Sequence, residues 1–256
     1  MAEMPLGWRT DLDVLQKSGT RVRSSDGYVI VQTPDNPGYF WGNFLFITDP
    51  ALAGRPADCL ELMTRTFPDA HHVAIGLPAP PAPGLWEGLG VDVERDEVLV
   101  ATEVPAGRDL PVGYVAPPLT GDDWEQSLRN EIAGSQTQDM AAYADFARRR
   151  IDSRQSMAAH GEAAFFGVFA GEELVAELGI VLCDDGARYQ SVGTVPGHRR
   201  RGLASHLLSV AGRWARDRGA TRWVIVAEPD SDAARLYRAC GLRPVAESWQ
   251  VFRGSI

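Results

Sequence analysis

The sequence predicts an α+β chain in two parts, and three observations carry that expectation. Its 256 residues exceed the roughly 100 to 200 of an ordinary single domain and leave room for two cores. Proline, glycine and charge interrupt two apolar runs at "EVPAGRDLPVG", residues 103–113, which divides the chain into residues 1–109 and 110–256. The downstream part runs strand, helices, three strands, helix, strand, helix, strand, which groups its elements as an α+β chain does.

Taken in order, the first half offers strands at Tyr28–Thr33, Phe40–Ile47, His71–Ile75 and Val98–Val104, from β-branched and aromatic runs between turn residues. Cys59, Leu62, Met63 and Thr66 share one face of a helix at Ala57–Thr66. "GLPAPPAPG", residues 76–84, is too proline-rich for either element. In the second half, residues 120–134 form a helix capped near Asp122 and stopped at Gly134, and residues 137–161 continue helical to Gly161. Three antiparallel strands follow in "AAFFGVFAG", "ELVAELGIVLCDDG" and "ARYQSVGTV", with turns at Gly171 and at Asp184–Gly186. A helix over residues 201–219 carries Leu203, Leu207, Val210, Ala211 and Trp214 on one stripe. The strand "RWVIVAE", the helix "DSDAARLYRACG" and the strand "LRPVAESWQVF" complete the chain.

Composition narrows the function classes. Hydrophobic content of 45% and charged content of 23% are those of a soluble globular protein, and no apolar run nears the roughly 20 residues of a membrane span. The N-terminus lacks a basic region followed by an apolar core, which points to the cytoplasm. Cys59, Cys183 and Cys240 are odd in number and widely spaced, so no metal site or disulfide framework is expected. Residues 1–109 hold 8 Lys and Arg against 16 Asp and Glu, while residues 110–256 hold 17 against 18. An acidic first half disfavours nucleic acid as partner; it suits a cationic substrate or is simply a solvated face.

The loop "TVPGHRRRGLAS", between a strand and a long helix, carries the chemistry. A helix N-terminus presents unpaired N–H groups and partial positive charge, so an anion can bind against it. Gly202 and Ala204 keep side-chain bulk away from that point, and Arg199, Arg200 and Arg201 add charge around it. A diphosphate is the natural guest. The Gly-Lys-Ser/Thr of nucleotide loops and the three spaced glycines of dinucleotide folds are both absent.

Arg199-x-x-Gly202-x-Ala204 resembles the acyl-CoA motif of the GNAT superfamily of N-acyltransferases. Ala233, Leu236, Tyr237 and Gly241 are similar to its Ala-x-x-Leu-Tyr-x-x-x-Gly-Phe signature, with Leu242 in place of Phe. The resemblance covers about residues 110–256 and implies a GNAT-like mixed sheet flanked by helices. Residues 1–109 read as a smaller α+β domain, a candidate degenerate half of the same kind that lacks the Arg-x-x-Gly loop and would supply an acidic, aromatic wall.

The resemblance also implies roles. Acetyl-CoA is the co-substrate, with no metal; its diphosphate lies on Arg199, Arg200, Arg201, Gly202, Leu203, Ala204 and Ser205, and its pantetheine arm pairs with the backbone of Thr194 and Val195. A primary amine, small-molecule or peptide, attacks the thioester directly. Backbone donors near Thr194 or Val195 steady the oxyanion, and Tyr237 protonates the departing thiolate. Two positions depart from the pattern: Asp230 stands where asparagine is common, and Gly193 where many relatives carry a carboxylate. Glu228 and Glu177 are the replacement carboxylates. In this family acceptor choice lies in loops and first helices, here residues 120–130 and 147–155. Two other classes remain: an acyl-CoA-binding sensor or degenerate partner without catalysis, and a nucleic-acid-binding module. A homodimer is compatible with all of these, and no membrane partner is expected.

Overall fold

A computed structural model describes residues 4–254 except Gln136 and Gln138. Gln138, inside the helical stretch expected from residue 137, therefore lies outside the described residues.

The first half opens with helix α1 (Leu6–Lys17), which buries Trp8, Leu12 and Leu15 at i, i+4 and i+7. Strands β1 (Arg21–Ser25) and β2 (Tyr28–Gln32) form a hairpin about Gly27, whose φ of 83° suits glycine. The strand expected over Phe40–Ile47 is shorter. Phe40–Gly42 is a 3-10 turn, and only β3 (Phe44–Ile47) is extended. Asn43 causes the break, because its side-chain amide donates to the carbonyls of Asn36 and Tyr39 while its oxygen accepts from Thr33 N–H. Helices α2 (Pro50–Ala53) and α3 (Pro56–Thr66) precede β4 (Val73–Leu77). Strand β5 (Asp92–Ala101) starts well before Val98, since its charged first half is exposed and only its end is buried.

From residue 112 the order agrees with the sequence reading. Strand β6 (Tyr114–Val115) is followed by helices α4 (Asp123–Gly134) and α5 (Met140–Ala159). Asp122 stands at the N-cap of α4 without a side-chain bond, and Asp123 accepts from Thr120 N–H instead. Strands β7 (Ala163–Ala170), β8 (Glu173–Cys183) and β9 (Gly186–Thr194) form the antiparallel meander. Helix α6 (Leu203–Arg216), strand β10 (Trp223–Ala227), helix α7 (Asp232–Ala239) and strand β11 (Arg243–Arg253) close the chain.

All eleven strands make one mixed sheet in the order β1-β2-β3-β4-β11-β5-β10-β9-β8-β7-β6. A repeat is visible in it. Each half runs through an antiparallel meander, a helix and a parallel strand, β1-β2-β3-α3-β4 and β7-β8-β9-α6-β10. The last strand of each half is exchanged: β5 pairs with β10, and β11 pairs with β4. β5, which lies before the boundary expected at 109, is thus bonded on both edges to strands from after it.

Helix α6 covers one face with Leu203, Leu207, Leu208 and Ala211 in a core shared with Ile225 and Tyr237. Helices α4 and α5 cover the other, through Trp124, Leu128, Phe146 and Ile151 against Phe165 and Val181. Helix α1 is tied down by Arg188 of β9, whose guanidinium pairs with Asp11 at 2.7 Å and donates to Thr10 Oγ1 at 2.8 Å. Cys59 and Cys240 are buried free thiols, and Cys183 is half-buried.

Candidate active site

The parallel pair β9–β10 is joined only at Trp223 with Ala187 and Val224 with Arg188, after which the strands part. A register shift in β9 between Gln190 and Gly193 widens the gap, and Ser191 there has a φ of 54°. Val195 N–H donates to Val175 O at 2.9 Å, so the antiparallel alternation turns the peptide groups of Thr194 towards the gap. The two expected backbone contacts therefore separate. Val195 N–H is spent within the sheet, whereas Thr194 N–H faces the opening. Thr194 O accepts from Arg199 Nε at 3.1 Å, which closes the loop over the strand end.

Beyond Thr194 the chain makes a 3-10 turn at Pro196–His198 and enters α6 through Gly202, whose φ is 81°. The first intrahelical bond is His206 N–H to Gly202 O, so Leu203, Ala204 and Ser205 present N–H groups with no preceding turn to receive them. The other two expected cations are engaged by side chains: Arg200 pairs with Asp232 at 2.6 Å, and Arg201 donates to Tyr114 Oη at 2.9 Å. Sequence reasoning missed Arg108. Its Cδ lies 3.2 Å from the point a Cβ on Gly202 would take, and its carbonyl accepts from the His206 ring. The left-handed backbone makes any side chain at 202 strained, so a loop probe belongs at Ala204.

On the α4/α5 face, beside the open edge of β9, lies a cavity of about 770 Å³. Glu177, Gly193, Thr194, Val195 and Arg199 line it. Glu177 stands directly across from Gly193 in the β8–β9 ladder, its Cγ 4.0 Å from where a Cβ on Gly193 would be. Its carboxyl therefore occupies the side of the sheet that a residue-193 side chain would share. Burial pushes the Glu177 carboxyl above the usual carboxylate range, against the pull of the Arg154 charge and a hydrogen bond from Ser127. Beside it Glu131 of α4, 8% exposed, binds two guanidinium groups of α5: Arg154, 9% exposed, at 2.9 Å and Arg150.

Glu228 does not belong to this site: it is exposed at the end of β10, clear of the cavity. A strand-end glutamate followed by Pro229 leaves the sheet for solvent. Tyr237 is buried in the α6/α7 core, and burial pushes its hydroxyl up to about 12. Tyr237 and Glu177 thus sit on opposite faces, with the β9–β10 gap between them. Residues 120–130 and 147–155, expected to govern acceptor choice, contribute Asn130, Arg150, Ser153 and Arg154 to the cavity. The first half supplies Val14, Leu15, Ser18, Thr33, Asn36 and Tyr39. It brings one aromatic ring and none of its carboxylates, contrary to the acidic wall expected of it.

The family model described as "Acetyltransferase (GNAT) family" matches residues 126–242. Residues 126–242 belong to the GNAT acetyltransferase family. The match runs from within α4 to just past α7 and takes in the open β9 edge and the α6 loop, and it supports N-acyl transfer as the class of chemistry. A conserved protein of unknown function from Staphylococcus epidermidis has a similar structure, with a TM-score of 0.75, 14% identity, and 93% of this chain and 95% of that one covered. A GCN5-related N-acetyltransferase from Kribbella flavida aligns with a TM-score of 0.69, 16% identity and coverages of 99% and 98%. A tandem GNAT protein from the clavulanic acid biosynthesis pathway aligns at 0.53, with 12% identity and coverages of 83% and 75%. At these identities the fold is what is shared, and the tandem relative fits the repeat seen here. No protein of curated function matches the sequence. Among the described residues no helix is long and apolar enough to cross a membrane, and no group of three or more His, Cys, Asp or Glu is placed to hold a metal ion.

Proposed function

We propose that the protein is an N-acetyltransferase that moves an acetyl group from acetyl-CoA to a primary amine by direct attack, with both substrates bound together. The observation that carries this is Glu177, set across the ladder from Gly193 in a cavity that opens on the parted β9–β10 edge. The α6 N-terminus would receive the diphosphate through the N–H groups of Leu203, Ala204 and Ser205, with Arg199 and Arg108 adding charge. Thr194 would bond the pantetheine arm as an added strand does. The thioester, an activated acyl group, would then lie in the gap, reached by Tyr237 from one face and by the amine from the other.

Glu177 takes a proton from the incoming ammonium, and the freed amine forms the new C–N bond as the C–S bond breaks. Thr194 N–H steadies the charge that develops on the carbonyl oxygen. Tyr237, kept protonated by burial, gives a proton to the departing sulfur and is reprotonated by the second proton that the new amide nitrogen sheds. Engagement of Arg200 and Arg201 by Asp232 and Tyr114 supports a small-anion loop over a nucleic-acid surface. In this reading the enzyme is cytoplasmic.

Calorimetric titration with acetyl-CoA tests the donor. The wild type is expected to bind, and Ala204→Glu to bind at least about tenfold more weakly. The glutamate repels the diphosphate while its charge suits a helix N-terminus, so the fold is kept. Absence of wild-type binding overturns the reading; binding without thiol release for any amine leaves an acyl-CoA sensor. Tyr237→Phe is expected to lower kcat by about 10²-fold with acetyl-CoA affinity unchanged, and an unchanged kcat removes Tyr237 from the mechanism.

A further inference from the structure

We propose that the acceptor is an amine that also carries a carboxylate, an amino acid in the broad sense, with its amine at Glu177 and its carboxylate at Arg150. The inference rests on the acetyltransferase reading of the same cavity. Two buried side-chain atoms without a hydrogen-bond partner belong to residues lining that cavity: Glu177 Oε2 and Arg150 Nε. As a carboxylate the first accepts from a donor, and the guanidinium nitrogen can only donate. A ligand that brings an ammonium and a carboxylate satisfies both, whereas a simple amine leaves the guanidinium wanting.

The charges agree. Arg150, Arg154 and Arg199 line the cavity against Glu131 and Glu177, an excess of one cation, and the first half adds no carboxylate to offset it. Glu131 is already held by Arg150 and Arg154, so Glu177 is the carboxylate left for an amine. A polyamine would meet that excess cation, while an amino acid neutralises it. Between the two polar ends the walls are apolar, with Val14, Leu15, Tyr39, Met157 and Phe165, which provides for an apolar side chain.

Acetyl transfer is measured with matched pairs: phenylalanine and phenethylamine, leucine and 3-methylbutylamine, and β-alanine and 2-aminoethyl phosphate. In a pair that turns over, the carboxylate-bearing member is expected to lead by about tenfold or more in kcat/KM. Arg150→Gln is expected to erase that lead through KM, with acetyl-CoA affinity unchanged as evidence of folding, and Arg150→Lys to restore part of it. Three results would overturn the inference: equal or better use of the decarboxylated amine in the first two pairs, preference for the phosphate amine, or no acetylation of any member by protein that binds acetyl-CoA. Loss of acetyl-CoA binding itself would instead remove the reading on which it rests.

Discussion

Glu177→Gln is expected to lower kcat by about 10²- to 10⁴-fold, the range of a positioned general base, with little change in acetyl-CoA affinity. The glutamine keeps the shape of the side chain across from Gly193 and removes only its ability to take a proton. The pH dependence follows from the same burial. A base works when ionised, and burial raises this carboxyl above its ordinary value. Activity should therefore be full above the raised pKa and lost as pH falls through it, so the acid limb of kcat/KM should lie above the usual carboxylate range. In Glu177→Gln that limb should vanish from the residual rate. A variant with wild-type kcat and an unchanged pH profile would exclude Glu177 as the base.

Glu131→Leu is expected to destabilise the protein by about 3 kcal/mol, because it removes the carboxylate that holds two guanidinium groups and leaves Arg154 charged in a buried place. For a chain of this length the midpoint of thermal unfolding should fall by about 6 to 12 °C. Replacing the charge as well, in Glu131→Leu with Arg154→Met, should recover most of the loss, since an apolar pair needs no hydration to be repaid. A single variant as stable as the wild type would mean that the triad carries no such burden. The two predictions are coupled, because Glu177 is the other carboxylate that acts on the Arg154 charge. In the folded fraction of Glu131→Leu the acid limb should move to lower pH. A purely structural role for Glu131 would leave it in place.

Much of the second half was legible because its signals are local. Gly202 must be glycine where the chain enters α6 with positive φ, and the small residue at 204 leaves the helix terminus open. The stripe of Leu203, Leu207 and Ala211 dictates one buried face whatever lies beneath it. Helix α1 was equally readable in principle, since Trp8, Leu12 and Leu15 repeat at helical spacing, although Gly7 obscures the start. The first part of β5 was not, because "DVERDE" has the composition of a solvated loop and becomes a strand only by pairing with β11. There Arg95 meets Glu247, and Gln250 bonds Asp96, whose carboxyl burial and Glu94 push up to about 6.

By itself the sequence determined the order of elements after residue 112 and the glycine entry into the helix that starts at Leu203. Each rests on contacts between residues near one another in the chain. Tertiary structure alone decided that β5 and β11 change places between the halves, that Glu177 faces Gly193, and that Glu131 of one helix gathers Arg150 and Arg154 of the next. The physical reason is that strand pairing and buried charge pairing are bargains between distant residues. A glutamate reads the same in sequence whether it stands exposed, as at Glu228, or has its carboxyl buried at a cavity wall, as at Glu177, and only packing separates the two.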